Sequence, residues 1–519
     1  MKNLAGILIF IMLLVLSFTV VSCSKNEHSN GAVPAGDEIT PKSFDGTGTG
    51  ISTKDELKSP IPDDVKFVGQ KVAFYVYYPE TGGDGIRDPA RATIISEEYA
   101  SGDVVYEAIY KRNMEVMEKL GVSFEFKYIP GAADDTYANN MVSKAVKAGA
   151  ADFDMVIGRQ HHCVQLATQG IFQNLAALPY LNINNPWWAT QYINDMTIGS
   201  DKLMFVTGDI ATGWLARLST MYFNKNLYSE NFGNTDEMYK LVLDGKWTLD
   251  KFGEMVKGMY ADLNGDGKAG DEDRYGLITH TVSQTDHFTY ASGIRATARD
   301  ADGLPYLIFN NEKTVTFVDK LYNLYYNNPG TFVVPTSHSN FNNIFNEKFA
   351  AGETLFIANT LGTSEQLRYV ETDFGMIPFP KFDEKEPSYL ALVHDTAPLM
   401  CVPVTNFNDE LVGAALEEMA YKGYMYMTPA FFETALKNKY MRDSDDMAMK
   451  CVDIIRENAV TDFLYVYNYN LSGGAFVNGM GLIMRDLMGA KSSDFVSKYE
   501  KLEQKTVEGI DKIIDAYMN

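Results

Sequence analysis

The sequence predicts an α/β fold in two lobes joined by a hinge. Two observations carry this. Strand-like apolar runs alternate with helix-like amphipathic runs from Lys71 onward, the pattern of a sheet with helical crossovers. The stretch Asp201 to Leu227, DKLMFVTGDIATGWLARLSTMYFNKNL, then interrupts the alternation. It reads as a strand (Lys202 to Val206), a Gly-containing connector and a second strand (Leu218 to Phe223), after which the alternation starts afresh. An apolar strand at Ala397 to Val404 runs back. A chain that crosses once, builds a second unit and returns makes two lobes with a cleft between them.

The first unit opens with Lys71 to Tyr78, KVAFYVYY, apolar or aromatic on both alternating faces, as a strand covered on two sides requires. Gly102 to Leu120 follows as a helix with Val105, Ile109, Val116 and Leu120 on one face. Val122 to Lys127 and Asp152 to Ile157 read as strands, with Thr136 to Ala148 as the helix between them. The second unit has helices near Leu249 to Tyr260, Glu312 to Tyr326 and Phe341 to Ala350, and strands at Leu355 to Ala358 and Phe374 to Ile377. Helices near Asp409 to Met425 and Pro429 to Asn438 come after the return crossing. The last, Ser493 to Met518, lines up Phe495, Tyr499, Leu502, Ile510, Ile513 and Tyr517 as a core-facing stripe.

At 519 residues the chain is long enough for two or more domains, and 46% hydrophobic with 22% charged residues is ordinary for a globular protein. A formal charge of -23 disfavours nucleic acid as a partner, because phosphate binding needs a basic surface. It also opposes the body lying flat on an anionic membrane.

At the N-terminus, Lys2 precedes a nearly unbroken apolar run from Leu4 to Val21, which ends in Val20-Val21-Ser22-Cys23 and turns abruptly polar. That pattern resembles a bacterial lipoprotein signal peptide over residues 1–22, implying cleavage before Cys23 and lipidation of its thiol. An uncleaved membrane anchor is the alternative, and either places the remainder outside the cytoplasm. Residues 23–65, rich in Ser, Gly, Thr, Pro, Asp and Lys, read as a flexible tether. Some 40 such residues have a typical end-to-end distance of about 35 Å. Cys163, Cys401 and Cys451, odd in number and widely spaced, read as buried free thiols, with one bridge left open.

Several segments in order resemble the extracellular solute-binding proteins of ABC importers, in the large carbohydrate-type group that includes maltose-binding protein. Asp152 to Ile157 (DFDMVI) is similar to that family's strand before the cleft, and Gly170 to Leu175 (GIFQNL) to its turn. Met221 to Leu227 (MYFNKNL) resembles the segment after the first crossover. Gly245 to Asp250 (GKWTLD) resembles a helix start, with Thr248 as cap. Phe349 to Phe356 (FAAGETLF) and Phe374 to Lys381 (FGMIPFPK) complete the series, which spans nearly all of the chain after the tether.

The resemblance implies a two-lobed periplasmic-binding-protein-like fold (type II) that closes on its ligand by hinge motion. The N-terminal lobe is expected at 66–215 and 398–445, the C-terminal lobe at 216–397 and 446–519. It implies a monomer that delivers solute to the membrane subunits of an ABC permease, with no catalytic residues. The alternatives are a surface glycan-binding protein without a transport role, or a glycan hydrolase or lyase using paired carboxylates. No Gly-x-Ser-x-Gly elbow, P-loop or dinucleotide fingerprint stands out.

Sugars bind by stacking C–H faces on aromatic rings while planar polar side chains hydrogen-bond the hydroxyls. Strand carboxyl ends in α/β sheets face the ligand crevice. Candidates near such ends or crossings are Tyr78, Arg159, Asp209, Trp214, Arg217, Thr360, His394, Asp395, Tyr467 and Asn470. Trp187-Trp188 reads as a loop anchor and Trp247 as core. Gln160-His161-His162-Cys163 reads as structural, since adjacent side chains do not converge on one ion.

One metal is expected. In Asp262 to Asp273, DLNGDGKAGDED, Asp262, Asn264 and Asp266 take positions 1, 3 and 5 of a calcium loop, with the Lys268 carbonyl at 7 and Asp273 at 12. Five carboxylates in twelve positions repel one another without a cation. A metal-free polar turn is the alternative, and no other cofactor is expected.

Overall fold

The computed structural model describes residues 57–79, 104–131, 136–341, 343–367, 370–432, 446–473 and 479–518. The expected signal peptide, Cys23 and most of the expected tether lie outside these residues. In chain order the strands are β1 (Lys71–Pro79), β2 (Ser123–Gly131), β3 (Met155–Arg159), β4 (Ser219–Asn224), β5 (Tyr275–Thr279), β6 (Thr297–Arg299) and β7 (Pro305–Leu307). They continue with β8 (Thr331–Val333), β9 (Thr354–Thr360), β10 (Phe374–Ile377), β11 (Ala391–Leu392), β12 (Pro398–Cys401) and β13 (Ala459–Val460).

The first sheet has the order β12-β3-β1-β2, with β1 parallel to both β2 and β3 and β12 antiparallel on β3. Its composition follows from strand geometry. Successive side chains point to opposite faces, and Val72, Phe74 and Val76 enter one apolar cluster while Ala73 and Tyr77 enter another. The Val104–Leu120 helix buries Ile109, Val116 and Leu120 as its periodicity predicts. It also buries Arg112, whose Nη1 donates to the Ile210 carbonyl at 2.8 Å.

The second sheet has the order β10-β4-β9-β5-β8. β5 runs parallel to β8 and β9, whereas β4 is antiparallel to β9 and β10. Asn224 ends β4 and caps the following helix by accepting from Leu227 N, and Thr248 accepts from Lys251 N at the next predicted helix start. Trp247 is fully buried and donates its indole N–H to the Pro378 carbonyl at 3.0 Å. The last helix, Phe495–Met518, buries Phe495, Tyr499, Ile510, Ile513 and Tyr517.

Two segments pass between the sheets. Val206 bridges to Met400, and Leu218 bridges to Val393, both antiparallel. The connector between Val206 and Leu218 contains a short helix, Thr212–Ala216. The expected strand at Lys202 to Val206 is reduced to single bridges. Ile198 and Lys202 close a local turn on each other, and at Gly208 any Cβ would lie 2.4 Å from the Trp187 carbonyl oxygen. The strand therefore stops where the backbone passes beneath the tryptophan loop. The return strand is correspondingly shorter than Ala397 to Val404, ending at Cys401. The predicted helix after Pro429 continues from a π-turn, Gly423–Met427, and leaves the described residues after Phe432.

Candidate ligand crevice

The carboxyl ends of the two sheets meet at the return segment, residues 393–398. On one side β3 ends at Arg159, which stands opposite Pro398, and Gln160 N donates to the Ala397 carbonyl at 3.0 Å. On the other, β9 ends at Thr360, opposite Ser219. Leu361 N donates to the Leu218 carbonyl, and His394 N to the Arg217 carbonyl. Five predicted residues, Arg159, Arg217, Thr360, His394 and Asp395, therefore lie along these crossings.

The remaining five are placed otherwise. Asp209 and Trp214 sit together in the connector, the Trp214 indole N–H donating to Asp209 Oδ1 at 3.3 Å and Arg456 Nη2 lying 3.1 Å from Asp209 Oδ2. Both are buried. The Tyr467 hydroxyl pairs with that of Tyr517 at 2.6 Å, turning it toward the final helix. Asn470 Nδ2 donates to Thr168 Oγ1 at 2.8 Å, tying the Phe463–Ser472 helix to the end of the Gln160–Ala167 helix. Tyr78 stands opposite Pro130 near the end of β1, with its side chain outside the described residues.

The 393–398 segment also meets a buried ion pair, Asp286 with Arg485, that sequence reasoning misses. Asp395 Oδ1 lies 2.9 Å from His394 Nδ1, and its Oδ2 lies 3.6 Å from Arg485 Nη2. Arg485 in turn grips Asp286, its Nε 3.0 and 2.8 Å from the two carboxylate oxygens. The backbone of Asp395 is fixed as well: its N–H donates to the Tyr465 hydroxyl at 3.1 Å, and His161 Nδ1 lies 3.3 Å from its carbonyl. His287 packs at 5.6 Å from the His394 ring and 5.6 Å from Phe379. No signal in a single sequence links Asp286 to Arg485; the pairing arises because the helices that carry them pack together.

Burial decides the protonation states here. It raises the Asp286 carboxyl to about 6, against the pull of Arg485. It would raise Asp395 too, but the His394 and Arg485 charges outweigh it and hold that carboxyl well below its usual range. Burial lowers His161 and His280 to about 3 and holds His287 well below its ordinary value, so all three imidazoles are neutral at physiological pH. The arrangement is a fixed platform of neutral imidazoles and a compensated guanidinium. Both of its carboxylates are committed to the same cation.

Trp187 and Trp188 anchor their loop through one buried carboxylate. Their indole N–H groups donate to Glu417 at 3.0 and 2.9 Å, and Asn185 Nδ2 and Asn182 N complete the set.

The Asp262 to Asp273 loop is closed by its own amides. Asp262 accepts from Gly265 N and Gly267 N, Asn264 from Asp266 N, and Asp266 from Lys268 N. Asp273 is buried and accepts from Leu263 N and Gly270 N. Among the described residues no three His, Cys, Asp or Glu side chains converge as a metal site. No helix among them is long and apolar enough to cross a membrane.

No protein-family model matches the sequence, and neither does any curated protein. Solved structures do match. The sugar-binding protein MalE from Xanthomonas citri superposes with a TM-score of 0.53 at 13% identity, over 85% of this chain and 98% of that one. A cyclo/maltodextrin-binding protein complexed with maltotetraose gives 0.51 at 14% identity, over 86% of this chain and 96% of that one. With two sheets linked by two backbone crossings and these structural matches, the chain has the two-lobed α/β periplasmic-binding-protein fold of the maltose-binding type.

Proposed function

We propose that the chain is an extracytoplasmic solute receptor of an ABC importer, monomeric and held at the membrane by a lipid on Cys23. It closes its lobes on a sugar or oligosaccharide and presents it to the permease subunits. The lobes divide as 66–215 with 398–445, and 216–397 with 446–519. One observation carries the reading: in a fold shared with sugar-binding proteins, the carboxyl ends of both sheets converge on residues 393–398. Ligands of open α/β sheets bind at such ends. Asp286 and Asp395 are both tied to Arg485 in one ion-pair cluster, an arrangement that a receptor accommodates without any catalytic role.

The test is a thermal-shift screen of the mature chain, from Ser24, against mono- and oligosaccharides and short peptides. A ligand at 100 times its Kd stabilises the bound state by about 2.7 kcal/mol. A shift confined to one glycan class, with the glycan recovered intact, supports the receptor. A shift only with peptides removes the carbohydrate assignment, and glycan cleavage favours an enzyme.

A further inference from the structure

The cysteines stand apart from the crevice chemistry, and two of them are neighbours. Cys163 lies one turn into the Gln160–Ala167 helix that follows β3, and Cys401 ends β12. Strand register places their thiols on one face of the first sheet. In the β3–β12 ladder Leu399 stands opposite Gly158 and Cys401 opposite Val156, and residues two apart along a strand share a face. Cys163 Sγ lies over that face, 3.9 Å from the Leu399 carbonyl and 3.1 Å from the position a Cβ on Gly158 would take. The apolar clusters divide accordingly: Val156, Cys163, Leu399 and Cys401 fall in one, Met155, Ile157 and Met400 in the other. The Cys401 thiol hydrogen-bonds to Cys163, and both are fully buried. Both are reduced in this structure, as is Cys451.

We propose that Cys163 and Cys401 become a disulfide when the chain folds in an oxidising compartment, stapling the helix after β3 to the return strand beside the hinge. The oxidant is a small disulfide of the glutathione class. One cysteine thiolate attacks a sulfur of the oxidant and expels one of its thiolates, leaving a mixed disulfide; the second cysteine attacks the protein-bound sulfur and expels the other. Two protein thiols are oxidised, one oxidant disulfide is reduced to two thiols, and the two cysteine protons end on the departing sulfurs. The exchange belongs to the folding chain: burial in the finished sheet keeps the Cys401 thiol protonated and shuts the oxidant out. Gly158 favours the approach, because a Cβ there would stand 3.1 Å from Cys163 Sγ, tighter than ordinary contact.

The proposal rests on the extracytoplasmic reading only for where the oxidant is met, and the chemistry is tested without a ligand. The mature chain carrying Cys23→Ser is unfolded, refolded with oxidised glutathione, alkylated and mapped without reduction. A linked peptide containing Cys163 and Cys401, with Cys451 alkylated, is expected. Cys451→Ser should keep that peptide, and Cys163→Ser should lose it. Alkylation of both Cys163 and Cys401 after refolding, or linkage of either to Cys451, overturns the proposal. The peptide map of the chain with all three cysteines is decisive by itself, so a serine variant that fails to fold does not blunt the test. A negative sugar screen leaves the disulfide standing.

Discussion

Arg485 and Asp286 form a two-point ion pair nearly out of reach of solvent, with both side chains buried. The pair joins the Ile483–Gly489 helix to the Ser283–Ala291 helix and touches the crossing segment through Asp395, 3.6 Å away. Removing one partner of a buried pair typically costs about 3–5 kcal/mol, because the other charge is stranded. Arg485→Met strands Asp286 and leaves Asp395 with His394 alone, whereas Asp286→Asn strands neither remaining group completely, since Asp395 still faces the guanidinium. The denaturant midpoint should therefore fall further in Arg485→Met than in Asp286→Asn. Equal losses would mean that Asp395 adds nothing to the cluster.

The same burial makes stability depend on pH. Burial lowers His161 and His280 to about 3 in the folded chain and holds His287 well below its ordinary value, against about 6.5 in the unfolded chain. Between those values the unfolded chain binds more protons, so stability is complete above about 6.5 and is lost as the pH falls below it. Asp286, raised to about 6, acts in the opposite sense, gaining stability as pH falls through that value. Burial also raises Asp154, Asp195, Asp209, Asp453, Asp462, Glu417 and Glu418, so the histidine contribution is isolated by substitution and not by the net trend. The histidine contribution to urea midpoints measured from pH 8 to pH 5 should decline. In His287→Leu the decline should be shallower by up to about 1.4 kcal/mol per pH unit, the slope of one proton.

Glu417 predicts a local effect. Its carboxylate accepts from both indoles, Asn185 and the Asn182 amide. Glu417→Gln replaces one acceptor oxygen by a donor, so at least one buried indole N–H loses its partner, at a cost of about 1–3 kcal/mol. The intrinsic tryptophan emission should shift as the loop loosens. Unchanged emission and stability would show that the carboxylate is not what holds the loop.

Much of this architecture was legible in the sequence because it rests on local periodicity. Alternation in Lys71 to Tyr78 and the stripe of the final helix report burial directly, and Thr248 caps the helix it precedes. The return crossing was legible as an apolar run, though its length was not, because the opposing 202–206 segment bridges it only at Val206–Met400. The crevice was legible only in part. His394 and Asp395 stand in the turn of the crossing segment and were found by position. Asp286 and Arg485, 199 residues apart, meet only through helix packing, and in the sequence each reads as an ordinary charged helix residue.

The Asp262 to Asp273 loop is proposed to take calcium as a structural cofactor. Its side-chain oxygens now serve backbone amides, and the cation would draw Asp262 and Asp266 onto itself while relieving repulsion among five carboxylates. Millimolar calcium should raise the Tm of metal-free protein, and Asp262→Asn with Asp266→Asn should abolish the rise. An identical Tm with calcium and with chelator would leave the loop as a self-closed turn.

Arg159 and Trp214 separate a binding role from a packing role. Trp214 is buried with its indole N–H on Asp209, so Trp214→Ala should cost about 3–5 kcal/mol of stability, as large aromatic truncations do. Arg159 is half-buried at the end of β3, where strand ends meet the crevice, and its guanidinium makes no hydrogen bond or ion pair among the described residues. Arg159→Ala should therefore leave the urea midpoint nearly unchanged. If Arg159 hydrogen-bonds the solute, the variant should weaken binding of the glycan found in the screen by about 10- to 150-fold, the range for a charge-assisted hydrogen bond of about 1.5–3 kcal/mol. Calorimetric titration of both variants with that glycan decides the matter. Unchanged affinity in Arg159→Ala would remove it from the binding site, and a selective loss of affinity in Trp214→Ala would move the ligand to the connector.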